Sequence, residues 1–281
     1  MTALHDLFMD FLQAEQLAVD AMAQNYASVY LPLADWLNQQ HQNGMRIIGI
    51  NSAQGSGKST LCKLLALLLQ QGFNKSVAVL SLDDFYLTRE QRSELAQSIH
   101  PLLQTRGVPG THDVTLAIAT LESLKNGLPV SLPRFDKSQD DRASETTWPF
   151  IQHPVDIILF EGWCVAALPQ TALQLVRPVN SLEAQQDAEG IWRQYVNTKL
   201  AGEYQSLFAL LDVLLMLKVP SFDKVYDWRA LQESKLQQGM DSEQLHYFIM
   251  HYERLTRYML DEMPQRADRV LQIGDDHQII V

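Results

Sequence analysis

Apolar and polar positions follow two rhythms along the 281 residues. Near the start, Leu4, Leu7, Phe8, Phe11 and Leu12 recur at the three-and-four spacing that lines up side chains on one helix face. The first forty residues are therefore predicted to form one or two amphipathic helices broken near Pro32. Their apolar face reads as cover for a sheet, with a subunit contact as the alternative. Five short apolar runs follow at 47–50, Val77 to Leu82, Val155 to Phe160, Val213 to Val219 and Val270 to Ile273. They are apolar on both faces and separated by long helical or irregular segments, which is the pattern of a parallel sheet covered on each side. The predicted fold class is α/β, a five-stranded parallel sheet with helices on both faces. Late in the chain, Asp241 with Gln244 resembles a capping box. It opens a helix whose Leu245, Phe248, Ile249, Tyr252, Leu255 and Met259 form one apolar stripe. His246 and His251 lie off that stripe and are expected at the surface.

The first apolar run breaks into Asn51-Ser52-Ala53-Gln54-Gly55-Ser56-Gly57-Lys58-Ser59-Thr60. A triphosphate needs a loop whose backbone N–H groups converge without side chains in the way, and Gly55 and Gly57 supply that freedom. Lys58 adds a point charge for the β- and γ-phosphates, and the hydroxyl of Ser59 can ligate Mg²⁺. The helix that follows, leucine-rich from Leu61 to Leu69 and closing at Gly72, aims its positive end at the same anion. Gln54, Gly55, Ser56, Gly57, Lys58, Ser59 and Thr60 are thus the candidate ATP-binding residues. Ser52 stands where the G-x-x-x-x-G-K-[ST] pattern has its first glycine.

Ligands of open α/β sheets bind beyond the carboxyl ends of the strands. The second run ends in Asp83 and Asp84, and the third in Glu161 followed by Gly162. Successive side chains leave a strand in opposite directions, so only one of the paired acids is expected to face the reacting centre, and Asp83 is the choice. The competing reading has both acids capping the next helix or facing solvent. Glu161 would sit beside the phosphate loop, where a carboxylate can hold Mg²⁺ or its water shell.

Two polar segments look substrate-facing. In Thr105 to Asp113, Gly and Pro fix a loop that carries Arg106, His112 and Asp113. In Leu132 to Arg142, the cations Arg134, Lys137 and Arg142 are candidates to close over developing phosphoryl charge, against a plain solvated loop. Arg229 and Lys235, on a helix expected to end before Gly239, are candidates to reach a nucleotide, with an ordinary charged surface helix as the alternative. Arg269 to His277 is expected as an edge strand and a loop near the adenine end.

The 22 basic and 33 acidic side chains leave a net charge of −11, which repels phosphodiester backbones and argues against a nucleic-acid partner. Apolar stretches fall well short of the ~20 residues of a spanning helix, so no membrane partner is expected. Met1 to Asp6 carries neither a basic signal-peptide start nor an Arg-rich transit segment, and a cytoplasmic location is expected. Cys62 and Cys164 read as small buried hydrophobes without metal-site spacing. The strongly apolar first helix is compatible with a homo-oligomer.

Taken together, the motif 49–60, the Ser81 to Thr88 segment, Arg106 to Asp113, Pro133 to Ser138 with Asp141 to Trp148, and Ile158 to Trp163 closely resemble the D-glycerate 3-kinase family of plants and fungi and its bacterial relatives. The pattern is more distantly similar to uridine kinase, phosphoribulokinase and pantothenate kinase, which share a P-loop kinase core of strand order 2-3-1-4-5. The resemblance runs from about residue 45 to the C-terminus. It implies a P-loop kinase domain over 45–281, with lid and substrate insertions around 86–150, and leaves 1–44 as a helical segment packed on it. It also implies that Asp83 is the acid acting on the substrate hydroxyl, and that the missing glycine at Ser52 is a family trait. The expected activity is ATP- and Mg²⁺-dependent phosphorylation of a small hydroxylated carboxylate, D-glycerate to 3-phosphoglycerate. In that scheme Lys58, Asp83 and Arg134 are catalytic, Ser59 and Glu161 hold the metal, and Asp84, Tyr86, Arg106, His112, Asp113, Lys137 and Arg142 face the substrate. A kinase for pantothenate, a nucleoside or another sugar acid is the alternative, as is a non-kinase ATP-dependent switch.

Overall fold

The apolar runs come together as one sheet in a computed structural model that describes residues 2–17, 19–234 and 240–280. Five strands, β1 (Ile47–Asn51), β2 (Val77–Ser81), β3 (Ile157–Gly162), β4 (Val213–Lys218) and β5 (Arg269–Ile273), lie parallel in the order 2-3-1-4-5. The five-strand expectation is one strand short. A sixth, β6 (Ile279–Ile280), pairs antiparallel with β5 and completes that edge, so β5 is not the edge strand its position suggested. Two residues after a tight turn are too short a run to register as a strand in the sequence.

The strands alternate strictly between two cores, as a period of two requires. Ile47, Leu80, Ile158, Phe160, Leu214 and Met216 point to one face, into a core shared with α4 (Arg89–Ser98), α5 (Val114–Lys125), α6 (Ile191–Ala201) and Tyr252, Leu255 and Met259 of α8 (Ser242–Glu262), whose Leu245 and Ile249 belong to the other core. Ile48, Ile50, Ile157, Leu159, Leu215 and Leu217 point to the other, where they meet α3 (Lys58–Phe73), α7 (Phe222–Glu233) and the N-terminal helices α1 (Thr2–Ala14) and α2 (Leu31–Gln42). Gly49 keeps the first face flat, because a Cβ there would stand 2.7 Å from Leu211 Cδ1.

Three local expectations are corrected. Pro32 opens a helix rather than breaking one: it lies in the first turn of α2, where its missing N–H costs nothing, and a π-turn at Tyr26–Tyr30 runs directly into it. Helix α3 continues past Gly72, which packs against Leu4, and stops at Phe73 with Asn74 in the left-handed conformation (φ 52°). His251 is buried rather than exposed, packed edge-on against Trp192 with ring centroids 5.8 Å apart, while His246 is at the surface as expected. Both cysteines are buried and unpaired. Among the described residues no helix is long and apolar enough to cross a membrane.

Candidate active site

The carboxyl ends of β1, β2 and β3 open into a cavity of about 320 Å³. One wall is the loop between β1 and α3. Gly55 and Gly57 both take left-handed backbone (φ 79° and 86°), and no atom lies within 4 Å of where a Cβ on Gly57 would stand. Conformation, not crowding, therefore demands glycine there. Ser52 fills the place of the missing glycine without cost, because its hydroxyl donates to Leu217 O on β4 at 2.8 Å in a buried site. The loop from β5 returns to this wall. His277 Nε2 lies 3.1 Å from Gly55 O, and its ring packs on Trp228 of α7 at 4.1 Å.

Ser59 Oγ donates to Glu161 Oε1 at 2.7 Å, and Lys58 Nζ lies 3.9 Å from Glu161 Oε2. Glu161 is 4% exposed, yet its Oε2 makes no hydrogen bond among the described residues. A buried carboxylate oxygen left unbonded beside a hydroxyl and an ammonium group is a fit for Mg²⁺ with phosphate oxygens, which needs only one or two protein oxygens. Among the described residues no cluster of three or more His, Cys, Asp or Glu side chains forms a self-sufficient metal cage.

The opposite wall starts at the 3₁₀ turn Leu82–Phe85, which sends its two acids in different directions. Asp83 faces the cavity. It accepts from Lys137 Nζ at 2.8 Å and from Tyr86 Oη at 2.8 Å. Burial opposes its charge, but the ammonium groups of Lys137 and Lys58 and these two hydrogen bonds outweigh it and hold the carboxyl well below the usual range. Asp84 turns away, bonded to Arg134 Nη1 (3.2 Å) and to the backbone N–H of Phe135 (3.3 Å). Its burial more than offsets the Arg134 charge and pushes its pKa up. Arg106, Lys137, Trp163 and Tyr252 complete the cavity around Asp83, and Arg229 and Phe248 close it beside the phosphate loop.

No family model matches the chain. It is similar to the chloroplastic D-glycerate 3-kinase of Arabidopsis thaliana, 32% identical over 282 residues that cover 89% of this chain and 59% of that protein. An uncharacterized kinase of Schizosaccharomyces pombe is 38% identical over 221 residues, 73% of this chain and 78% of its own. Among solved structures, the D-glycerate 3-kinase of Cryptococcus neoformans superposes with a TM-score of 0.74 at 25% identity, covering 93% of this chain and 98% of that one. The chain belongs to the D-glycerate 3-kinase family.

Within this family frame the expected site residues divide. Gln54, Gly55, Gly57, Lys58, Ser59, Thr60, Asp83, Tyr86, Arg106, Lys137 and Arg229 line the one cavity, and Glu161 lies just beneath Ser59. Ser56 is buried in the loop rather than facing the cavity. Asp84, His112, Asp113, Arg134 and Arg142 are not brought to it; they brace it from behind. His112 is buried, stacked on the Tyr86 ring at 4.6 Å and bonded through Nδ1 to Tyr204 Oη at 2.6 Å, and burial lowers its pKa to about 3. Asp113 caps α5 by accepting from Leu116 N, and it pairs with Arg142, which also donates to Tyr86 O at 3.1 Å. Lys235 lies outside the described residues. Trp163, Phe248 and Tyr252 line the cavity without being among the candidate site residues. The one signal for Tyr252 was a phenol in an otherwise apolar stripe.

Proposed function

We propose that this chain is an ATP-dependent D-glycerate 3-kinase. It would transfer the γ-phosphoryl group of ATP to the 3-hydroxyl of D-glycerate, with ADP as the leaving group, and release 3-phosphoglycerate and ADP. The observation that carries the reading is a single cavity in which the Asp83 carboxylate faces Lys58 of the phosphate loop with two further cations, Arg106 and Lys137, beside it. The bound magnesium nucleotide supplies the electrophilic phosphorus and the metal charge. Lys58 and the loop amides would hold the triphosphate, and Ser59 and Glu161 would hold the metal. Asp83 accepts a hydrogen bond from the acceptor hydroxyl, aims it at the phosphorus and takes its proton as the bond forms. Because the transition state is loose, alignment matters more than basicity, and a carboxylate of depressed pKa suffices. Arg106 takes the acceptor carboxylate, and Lys137 neutralises the equatorial oxygens. Two unpaired buried cysteines suit a cytoplasmic location.

A coupled ADP-release assay with D-glycerate, pantothenate and uridine tests the reading. D-glycerate alone is expected to stimulate turnover. Stimulation by another acceptor instead would replace the substrate, and stimulation by none would favour a nucleotide-driven switch.

A further inference from the structure

The Arg106–Gly107 peptide is held more tightly than a surface loop requires. Tyr252 Oη donates to Arg106 O at 2.8 Å, and Trp163 Nε1 donates to Gly107 O at 2.8 Å. Gly107 N donates to Thr111 Oγ1 at 3.0 Å, so both carbonyls and the N–H of this short stretch are satisfied by side chains. The two aromatic donors pack edge to face, with ring centroids 4.9 Å apart, and both are almost fully buried. Burial, reinforced by the charge of Asp83, raises the pKa of Tyr252, so its hydroxyl keeps its proton and remains a donor.

Gly107 makes this approach possible. Its φ is +128°, and a Cβ built on it would stand 2.2 Å from Tyr252 Oη and 2.6 Å from Tyr252 Cε1. Any side chain at 107 would displace the tyrosine from the peptide it clamps. One bond upstream of that peptide, the Arg106 side chain turns into the cavity, its guanidinium 5.5 Å above the Phe135 ring and paired with Asp140. A long arginine reaches a fixed point only when its backbone is fixed, and here the fixing groups come from β3's end and from α8, remote in sequence.

We infer that Tyr252 is a positioning residue that makes the enzyme select an anionic acceptor: its hydroxyl, seated against Gly107, locks the backbone from which Arg106 meets the acceptor carboxylate. The inference rests on the reading of Arg106 given under Proposed function. Tyr252 acts through Arg106 and so should affect acceptor binding rather than nucleotide binding.

The test is a double-mutant cycle of Tyr252→Phe and Arg106→Ala, read as KM for D-glycerate and KM for ATP in the full-length protein. Tyr252→Phe keeps the ring and removes the donor, so KM for D-glycerate should rise about tenfold, the effect of one hydrogen bond that leaves a buried carbonyl unpaired. KM for ATP should stay within about twofold. In the Arg106→Ala background the same change should add nothing. In crystals of Tyr252→Phe the guanidinium should leave its seat over Phe135. If Arg106→Ala raises KM for D-glycerate but Tyr252→Phe does not, or if the two effects simply add, the positioning role of Tyr252 is overturned while the role of Arg106 stands. If Arg106→Ala leaves that KM unchanged, the carboxylate reading itself is wrong. An Arg106 side chain unmoved in the variant crystal would also overturn the inference.

Discussion

The phosphate wall of the cavity comes from one stretch of chain, Gln54 to Thr60, backed by a single strand end at Glu161, whereas the acceptor wall draws on Asp83, Arg106, Lys137 and Tyr252 from four separate segments. On the first wall the groups that matter are backbone amides and one lysine, fixed by the strand–turn–helix geometry itself. On the second they are long or aromatic side chains, each fixed by another: Asp83 by Tyr86, Tyr86 by His112 and Arg142, Arg106 by Tyr252, with Trp163 holding the neighbouring Gly107. A wall made of main chain serves any nucleoside triphosphate, because phosphate geometry does not vary. A wall made of mutually braced side chains can be retuned piece by piece, which is how one scaffold can accept different small molecules.

That contrast sets the expected cost of single changes. Lys58→Ala removes the ammonium group of the main-chain wall, and kcat/KM for ADP release should fall by about 10³-fold or more. A loss under tenfold would mean that the loop amides suffice. Asp83→Asn keeps shape and removes the charge. It should lower kcat by about 10²-fold with KM for ATP held within a few fold, and unchanged turnover would remove Asp83 from the chemistry. Arg106→Ala should raise KM for D-glycerate about 10–30-fold, the worth of a charged hydrogen-bonded pair, with kcat less affected.

Legibility followed the same division. The glycines, Lys58 and Ser59 were readable because the chain needs those residue types at fixed spacing for the backbone to curl around an anion. Asp83 and Glu161 were readable because strand ends in a parallel sheet face one crevice. The strand order was legible only through the family resemblance, and β6 not at all. On the acceptor side, charge alone did not separate residues that point in from those that brace: Arg134 and Arg142 sit in the same polar loop as Lys137, yet they hold Asp84 and Asp113. Tyr252 was hidden because a helix stripe that covers a sheet and a helix that walls a cavity have the same periodicity.

The hidden histidine next to it gives the smallest of the expected effects, one on stability rather than activity. Burial pushes the pKa of His251 down to about 4, only partly offset by its bonds to the carbonyls of Tyr247 and Phe248. Between the unfolded value near 6.5 and about 4, the unfolded chain binds a proton that the folded chain does not, so stability falls as pH falls through that window. From pH 7 to pH 5 His251 alone should cost about 2 kcal/mol. Urea midpoints at the two pH values should therefore differ less in His251→Gln than in the parent, and an equal difference would contradict the burial. Asp83 works over a more acidic range, because its depressed pKa contributes stability that is present at neutral pH and lost only as pH falls toward the folded value. It should not produce the acid limb of the pH–rate profile above about pH 5.

In the proposed reaction one cavity places the acceptor hydroxyl between the Asp83 carboxylate and the terminal phosphate. A crystal structure with a non-hydrolysable ATP analogue, Mg²⁺ and D-glycerate tests this placement most directly. The 3-hydroxyl should lie within about 3 Å of an Asp83 carboxylate oxygen and in line with the terminal phosphorus, with the glycerate carboxylate on Arg106. D-glycerate bound with its hydroxyl away from Asp83, or an analogue whose terminal phosphate does not reach Lys58, would contradict it.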